Sequence, residues 1–195
     1  MGRLVAFVFI ACLVPGLAAA QSRPSRELFA GYQQIAGEER AVQGAVAGLV
    51  FHRSARTSGI LTVSGFYDPR DATVTFADSR LRIEGGQTAV HVGGGGRWHK
   101  PDGRVLFFAQ ALALLAFTRT ATTITSDSPL GLAVEQHRRC SIDPLVQGGI
   151  GVTIRAFRRV GVSGLVELYM PVLSPHLESV HYRGSLGVAV TLGGK

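Results

Sequence analysis

The chain has 195 residues, of which 46% are hydrophobic and 17% are charged, and it contains 25 glycines and a single tryptophan. This balance supports one folded domain and excludes extensive disorder. The formal net charge of +7 allows contact with anionic partners, but the arginines are scattered and form no basic stripe interleaved with aromatic residues, so no nucleic-acid partner is predicted.

The first twenty residues have the three parts of a secretory leader. Arg3 gives a positive start, residues 4–14 are an apolar run, and alanines 18–20 provide a small-residue cleavage site. The apolar run is too short for a membrane helix, which needs about twenty residues. We therefore predict a cleaved signal peptide over residues 1–20 and a short polar lead over residues 21–26.

Beyond the leader, apolar residues occupy every second position in repeated stretches, and no segment has a helical period. This alternation is typical of β-strands that carry one apolar and one polar or small face. Eight such stretches are predicted as strands, at residues 27–36, 41–52, 58–67, 88–98, 104–118, 145–157, 162–172 and 180–192.

The connections between these strands fall into two classes. Those at 53–57, 99–103 and 158–161 are short and rich in turn-forming residues, so they are predicted as tight hairpins. The two longest connections, at 68–87 and 119–144, alternate with the short ones along the chain. An up-and-down arrangement therefore places the tight turns at one end and the longest loops at the other. The remaining connections are predicted as loops, at 37–40, 68–87, 119–144 and 173–179.

Alternation alone does not decide which face lies inside, because a soluble barrel would bury the face that a membrane barrel turns to lipid. Export, strands of about ten residues and the separation of tight turns from long loops favour the membrane arrangement. A sheet in hydrocarbon must also close on itself, because every backbone group needs a partner. We predict an all-β fold, an eight-stranded antiparallel up-and-down transmembrane β-barrel over residues 27–193, with both termini in the periplasm. The residues predicted to face lipid are Val90, Val92, Val146, Ile150, Val152, Ile154, Val188 and Val190.

The opposite face is predicted to fill the lumen with polar side chains, between which glycines make room. A buried charge needs a partner, and Arg155 is expected beside Glu167 on the neighbouring strand. A lumen filled in this way is not expected to act as a general pore. The residues of the predicted polar network are Gln43, His91, Arg97, Gln110, Gln147, Arg155, Glu167, His181 and Arg183.

Four segments carry a resemblance to a known family. They are ELFAGY at 27–32, the glycine-rich VHVGGGGRW at 90–98, VQGGIGV at 146–152 and YRGSLGV at 182–188. The ordered set resembles the small outer-membrane β-barrel proteins of Gram-negative bacteria, of the OmpA-like transmembrane-domain kind. The chain departs from that pattern at residues 192–195, where the usual final aromatic residue is replaced by LGGK.

The resemblance implies an outer-membrane location, insertion by the barrel-assembly machinery, and contact with outer-membrane lipid and lipopolysaccharide. It also implies a structural or surface-interaction role rather than an enzymatic one. The long loops at 68–87 and 119–144 would carry the contact with a partner, because loops supply recognition while the barrel supplies rigidity. The identity of that partner stays open.

Two other functions are kept as alternatives. The first is a soluble exported lipocalin-like barrel that binds a small apolar ligand inside. The second is an outer-membrane deacylase acting on lipid A, since a serine, a histidine and a carboxylate can form an acyl-transfer set. The spacing of the candidate residues does not force them to converge, so no catalytic residue is assigned. The candidates are His176, Glu178, Ser179 and His181.

Neither a metal nor a cofactor is predicted. His137 and Cys140 are three residues apart, but two ligands fall short of the usual three or four. The glycine run at 93–96 is not followed by the lysine and hydroxyl residue of a phosphate-binding loop. Removal of Cys12 with the leader would leave Cys140 as the lone cysteine, so no intramolecular disulfide is expected.

Overall fold

The computed structural model describes residues 26–36, 41–76, 79–100, 104–128, 131–172 and 181–192. The predicted leader at 1–20, nearly all of the polar lead and the predicted loops at 37–40 and 173–179 lie outside these residues. Within the described ranges, no helix is long and apolar enough to cross a membrane.

The described residues form eight strands that close into a single antiparallel ring. Each strand pairs with its neighbours in sequence, and the last returns to the first, from Arg26 opposite Leu192 to Ala36 opposite Tyr182. The predicted eight-stranded antiparallel up-and-down barrel is confirmed. The strands are β1 (Arg26–Ala36), β2 (Ala41–His52), β3 (Thr57–Phe76), β4 (Ser79–His99), β5 (Val105–Ser128), β6 (Gly131–Arg155), β7 (Val160–Pro171) and β8 (His181–Leu192).

Two of the predicted loops are wrong, because the segments 68–87 and 119–144 continue as strands. Backbone pairing extends from Asp68 opposite Gln87 to the tip of the β3–β4 hairpin, and β5 and β6 pair in the same way to their own tip. Strands β4 and β5 also stay paired, so the two hairpins form one sheet. We call this four-stranded extension the protruding sheet, and it comprises residues 68–76, 79–87, 119–128 and 131–143.

Side chains alternate between the two faces of the ring, and the outward face is apolar. Ile150 is 70% exposed and Leu186 is 62% exposed, and all eight residues predicted to face lipid lie on this side. On β5 the outward apolar residues run from Val105 to Phe117. At about 3.3 Å per residue and a strand tilt of about 40°, this stretch spans about 30 Å, the thickness of a hydrocarbon core. We call this outward band the apolar belt.

The inward face holds a hydrophobic cluster and a group of buried polar residues. Ile35, Phe66, Leu114, Leu145 and Tyr169 of the cluster lie towards the protruding-sheet end of the barrel, whereas Val50 and Ile60 of the same cluster lie towards the tight turns. Between them, in the middle of the barrel, lie the buried polar residues Gln110, Gln147, Glu167 and Arg183. The interior therefore has buried apolar side chains on both sides of a polar layer, and the polar layer is the candidate site.

Candidate functional site

Glu167 lies at the centre of the polar layer, with 1% of its surface exposed. It stands on β7 directly opposite Arg183 of β8, whose Nε and Nη2 atoms lie 2.7 Å and 2.5 Å from Oε2 of the carboxylate. The other oxygen, Oε1, accepts a hydrogen bond of 2.8 Å from Gln110 and a second from Gln147. Both carboxylate oxygens are thus bonded, which offsets the cost of burying the charge.

Arg97 joins this group through the side chain of Gln110. Its Nε and Nη2 atoms donate to Oε1 of Gln110 at 3.1 Å and 2.8 Å, while the amide nitrogen of Gln110 donates to Glu167. The guanidinium also lies 4.1 Å from the centre of the Phe108 ring and 3.7 Å from Oε1 of Glu27. A planar guanidinium suits a site that combines aromatic stacking with several acceptors.

These contacts form a network that crosses the barrel. Arg183 also donates to Oγ of Ser64 at 3.2 Å, which adds β3 to the group. Seven of the eight strands contribute a member, and two arginines balance two glutamates. We call this group the lumen network, and its members are Glu27, Ser64, Arg97, Gln110, Gln147, Glu167 and Arg183.

The structure brings together five of the nine predicted lumen residues, namely Arg97, Gln110, Gln147, Glu167 and Arg183. Two others face inward beside aromatic rings of the hydrophobic cluster. The His91 ring lies 5.0 Å from that of Phe66, and the His181 ring stacks at 5.1 Å on that of Tyr169.

The predictions for Gln43 and Arg155 are wrong. Gln43 is exposed on the outward face of β2. It pairs with Gln34 of β1, which is also exposed, whereas the buried Gln33 pairs with the next residue of β2, Gly44. Arg155 is exposed at the tight-turn end of β6, where it faces Gly161. Glu167 instead faces Gly149, six residues further along β6. At about 3.3 Å per residue this is about 20 Å, so no contact between Arg155 and Glu167 is possible.

Glu27 and Ser64 belong to the network but were not among the predicted residues. Gln33 was also missed, although it is fully buried and its amide donates to the carbonyl oxygen of Ala45 at 2.8 Å. All three face inward because side chains on β1 and β3 alternate between the inward and outward faces. A polar residue an even number of positions away from the buried residues of its own strand is the pattern that could have identified them.

Gly149 leaves room for the carboxylate of Glu167. A Cβ atom at position 149 would lie 2.7 Å from Cγ of Glu167 and 2.8 Å from the carbonyl oxygen of Val166, closer than real Cβ atoms approach other atoms. An interior cavity beside Arg97 has a volume of about 10 Å³, enough for about one water molecule.

The candidate residues for other chemistry are not brought together. His176, Glu178 and Ser179 lie outside the described residues, and His181 points into the barrel. His137 and Cys140 lie on opposite faces of β6, because they are an odd number of residues apart in one strand. No group of three or more metal-binding side chains occurs in the part of the chain that the structure describes.

Comparison with known proteins identifies the architecture. No family model matches the sequence, and no curated protein matches it. Ail, the attachment invasion locus protein of Yersinia pestis, superimposes with a TM-score of 0.54 at 12% identity, over 88% of this chain and 100% of Ail. The chain has the fold of a small, OmpA-like outer-membrane β-barrel.

Two further structures show similar coverage. Ail in complex with the heparin analogue sucrose octasulfate matches 88% of this chain and 100% of its own, with a TM-score of 0.53 and 14% identity. The N-terminal β-barrel domain of Pseudomonas aeruginosa OprF matches 88% of this chain and 100% of its own at 13% identity, with a TM-score of 0.44. At these identities the likeness to the small outer-membrane barrels is one of fold.

The lipocalin-like alternative does not fit this barrel. A soluble carrier would turn polar side chains to water and line its centre with apolar ones. Here Ile154 and Val188 are 52% and 48% exposed on the outside, whereas Gln147 and Glu167 are buried inside.

Proposed function

We propose that the chain is an integral outer-membrane barrel that acts in surface interaction through its protruding sheet, and that its lumen is closed to general solute passage. The observation that carries the proposal is the continuation of β3 to β6 beyond the apolar belt as a paired sheet. A rigid sheet held above a membrane presents a fixed surface, whereas flexible loops must be ordered on binding.

The apolar belt supports placement in a membrane. Large exposed side chains such as Ile150, Val166 and Phe107 surround the ring at the height where its backbone is fully paired. Hydrocarbon tolerates a sheet only in this closed form. The same side chains would be an aggregation hazard on a protein surrounded by water.

The protruding sheet has features suited to recognition. Among the described strands, residues 68–76 of β3 pair only with β4, and residues 131–143 of β6 pair only with β5. Each of these two edges carries backbone donors and acceptors of the kind that bind an added strand. We place the contact with a protein partner on this sheet.

Two arginines of the sheet support contact with lipopolysaccharide. Arg119 and Arg138 are exposed on the outward face. Arg119 is the first outward residue of β5 beyond Phe117, the last residue of the apolar belt on that strand, and Arg138 pairs with the next outward residue of β5, Ala121. This is the height at which phosphate groups of an outer leaflet lie, and arginine binds phosphate through paired hydrogen bonds.

The closed lumen is supported by the lumen network together with the hydrophobic cluster next to it. Arg97 and Arg183 extend from β4 and β8 to partners on other strands. An eight-stranded barrel is just wide enough for side chains to fill. A solute would have to break these bonds in order to pass.

Labelling of Cys140 tests the placement and the orientation together. Cys140 is exposed on β6 in the protruding sheet. We expect a membrane-impermeant maleimide to label it on intact cells, while Arg158→Cys in a Cys140→Ser background is labelled only after the outer membrane is permeabilised. The reverse pattern would contradict the orientation. Recovery of the folded protein in the aqueous fraction, without heat-modifiable migration in a gel, would contradict membrane placement.

A further inference from the structure

Exposed basic side chains crowd the tight-turn end of the barrel, opposite the protruding sheet. Within the described ranges Glu27 is the one acidic residue at this end, and it is buried beside Arg97. Asp102, two residues after Lys100 in the sequence, lies outside the described residues. The exposed basic residues are Arg26, Arg53, Arg56, Lys100, Arg104, Arg155, Arg158 and Arg159.

Backbone hydrogen bonds between successive turns hold these cations near one another. The amide of His99 donates to the carbonyl oxygen of Arg56 at 2.9 Å, which places Arg56 beside the turn that begins at Lys100. The amide of Arg155 donates to the carbonyl oxygen of Arg104 at 2.8 Å. Like charges held side by side repel one another, so this end of the barrel favours the binding of anions.

No acidic side chain within the described ranges forms an ion pair with Arg53, Arg56, Arg155, Arg158 or Arg159. The charge of these five arginines is therefore not neutralised by an ion pair within the described part of the protein. An anion from outside can contact several of these cations at once.

An apolar groove begins at the same end. It is an open depression in the surface, not an enclosed pocket, and its volume is about 1360 Å³. Arg56 and Lys100 line one end of the groove. The rest crosses the outward face of the barrel, and its apolar lining includes Trp98, Phe107, Ile150, Val152 and Leu186.

Two outward glycines keep the groove open. Gly164 of β7 and Gly184 of β8 both line it, and a Cβ atom at either position would meet no other atom within 4 Å. A larger side chain at either position would project into the groove from its floor. The groove is thus a long apolar depression with two cations at one end.

We propose that this groove binds an anionic glycerophospholipid, with its phosphate against Arg56 and Lys100 and an acyl chain lying along the apolar lining. The proposal rests on the proposed membrane placement. A phosphate next to a hydrocarbon chain matches a basic end that adjoins an apolar groove. A zwitterionic lipid fits less well, because its cationic amine would be held close to the crowded basic side chains.

Trp98 reports on this site directly, because it is the single tryptophan of the chain and lines the groove. The folded protein is reconstituted in phosphatidylcholine vesicles that contain increasing fractions of either phosphatidylglycerol or phosphatidylcholine with brominated acyl chains. Bromine quenches tryptophan fluorescence at short range. We expect brominated phosphatidylglycerol to reach half of its maximal quenching at about a five-fold lower mole fraction, since a basic residue near a membrane surface contributes about that factor.

Three variants locate the effect. Replacement of Arg56 and Lys100 together by glutamine should remove the preference, whereas the same replacement of Arg80 and Arg139, which are exposed in the protruding sheet, should leave it unchanged. Gly164→Leu should also remove the preference, because it fills the groove and keeps every charge. Retention of the preference in Gly164→Leu would overturn the groove as the site.

The outcomes separate this proposal from the one on which it depends. Equal quenching by both brominated lipids in the unaltered protein would overturn the anionic site, while confirming that Trp98 faces lipid. Absence of quenching by either lipid would instead overturn the membrane placement.

Discussion

Glu167 and Arg183 face each other across the β7–β8 pair, and their contact uses one carboxylate oxygen while two glutamines occupy the other. The carboxylate therefore links three strands besides its own. Because Gln110 also accepts from Arg97, loss of Glu167 would affect both arginines of the lumen network.

Glu167→Ala should destabilise the barrel by about 3–5 kcal/mol, because it leaves Arg183 buried without its acidic partner. Urea unfolding from lipid vesicles measures this directly, and a lower temperature of the heat-modifiable gel shift should accompany it. Glu84→Ala is the matched control. It breaks the exposed pair with Arg82 and should cost less than about 1 kcal/mol. Wild-type stability in Glu167→Ala would show that the network is not structural.

The sequence allowed the network's composition to be predicted better than its pairing. Polar residues on the weaker face of alternating strands, such as Glu167 and Arg183, are visible in the pattern alone. Register is not visible there, because it depends on how turns align neighbouring strands. That is why Arg155 was expected beside Glu167. The sequence also did not show which residues of β2 face inward, because small or apolar residues such as Ala45 and Val46 occupy both faces of this strand.

Adjacent glycines on β6 should respond in opposite ways to the same substitution. Gly149→Ala should cost about 1–3 kcal/mol, because the added methyl group meets Glu167 and the backbone of Val166. Gly148→Ala should stay within about 0.5 kcal/mol of wild type, because an added Cβ meets nothing within 4 Å. Equal effects in vesicle-based unfolding would contradict the assignment of the two faces.

Ile150→Arg tests the apolar belt. Ile150 is outward and near the middle of the belt, so a charge there should cost about 2–4 kcal/mol of stability in a bilayer. Thr123→Arg, on the outward side of the protruding sheet, should change stability by less than about 0.5 kcal/mol. If the two variants unfold from vesicles alike, the belt is not embedded in lipid.

The extent of the protruding sheet could not be predicted because the alternation of apolar residues stops where the belt stops. Beyond Thr118 on β5 the residues are mainly threonine and serine on both faces, and they give no apolar period. Threonine nevertheless favours strands, and a hairpin already paired below can continue its backbone ladder upward. The end of the apolar alternation therefore marks the end of the apolar belt and not the end of the strands.

Planar-bilayer recordings should show no large, long-lived currents from the reconstituted protein, because Arg97 and Glu167 are joined through Gln110 by hydrogen bonds that cross the lumen. Arg97→Ser serves as a comparison. It removes the guanidinium that contacts Gln110 and Phe108, and it should raise the frequency of brief openings. Stable large currents from the unaltered protein would contradict a closed lumen.

The seam between β1 and β8 has a consequence for biogenesis. Because Arg26 pairs with Leu192, the ring can close only after all eight strands, from β1 to β8, have been synthesised. Until then the first and last strands of the growing sheet would be edge strands with unpaired backbone groups, and the apolar outward face of the sheet would not be covered by lipid. A sheet that has not yet closed would therefore aggregate readily, because it exposes unpaired backbone groups beside apolar side chains.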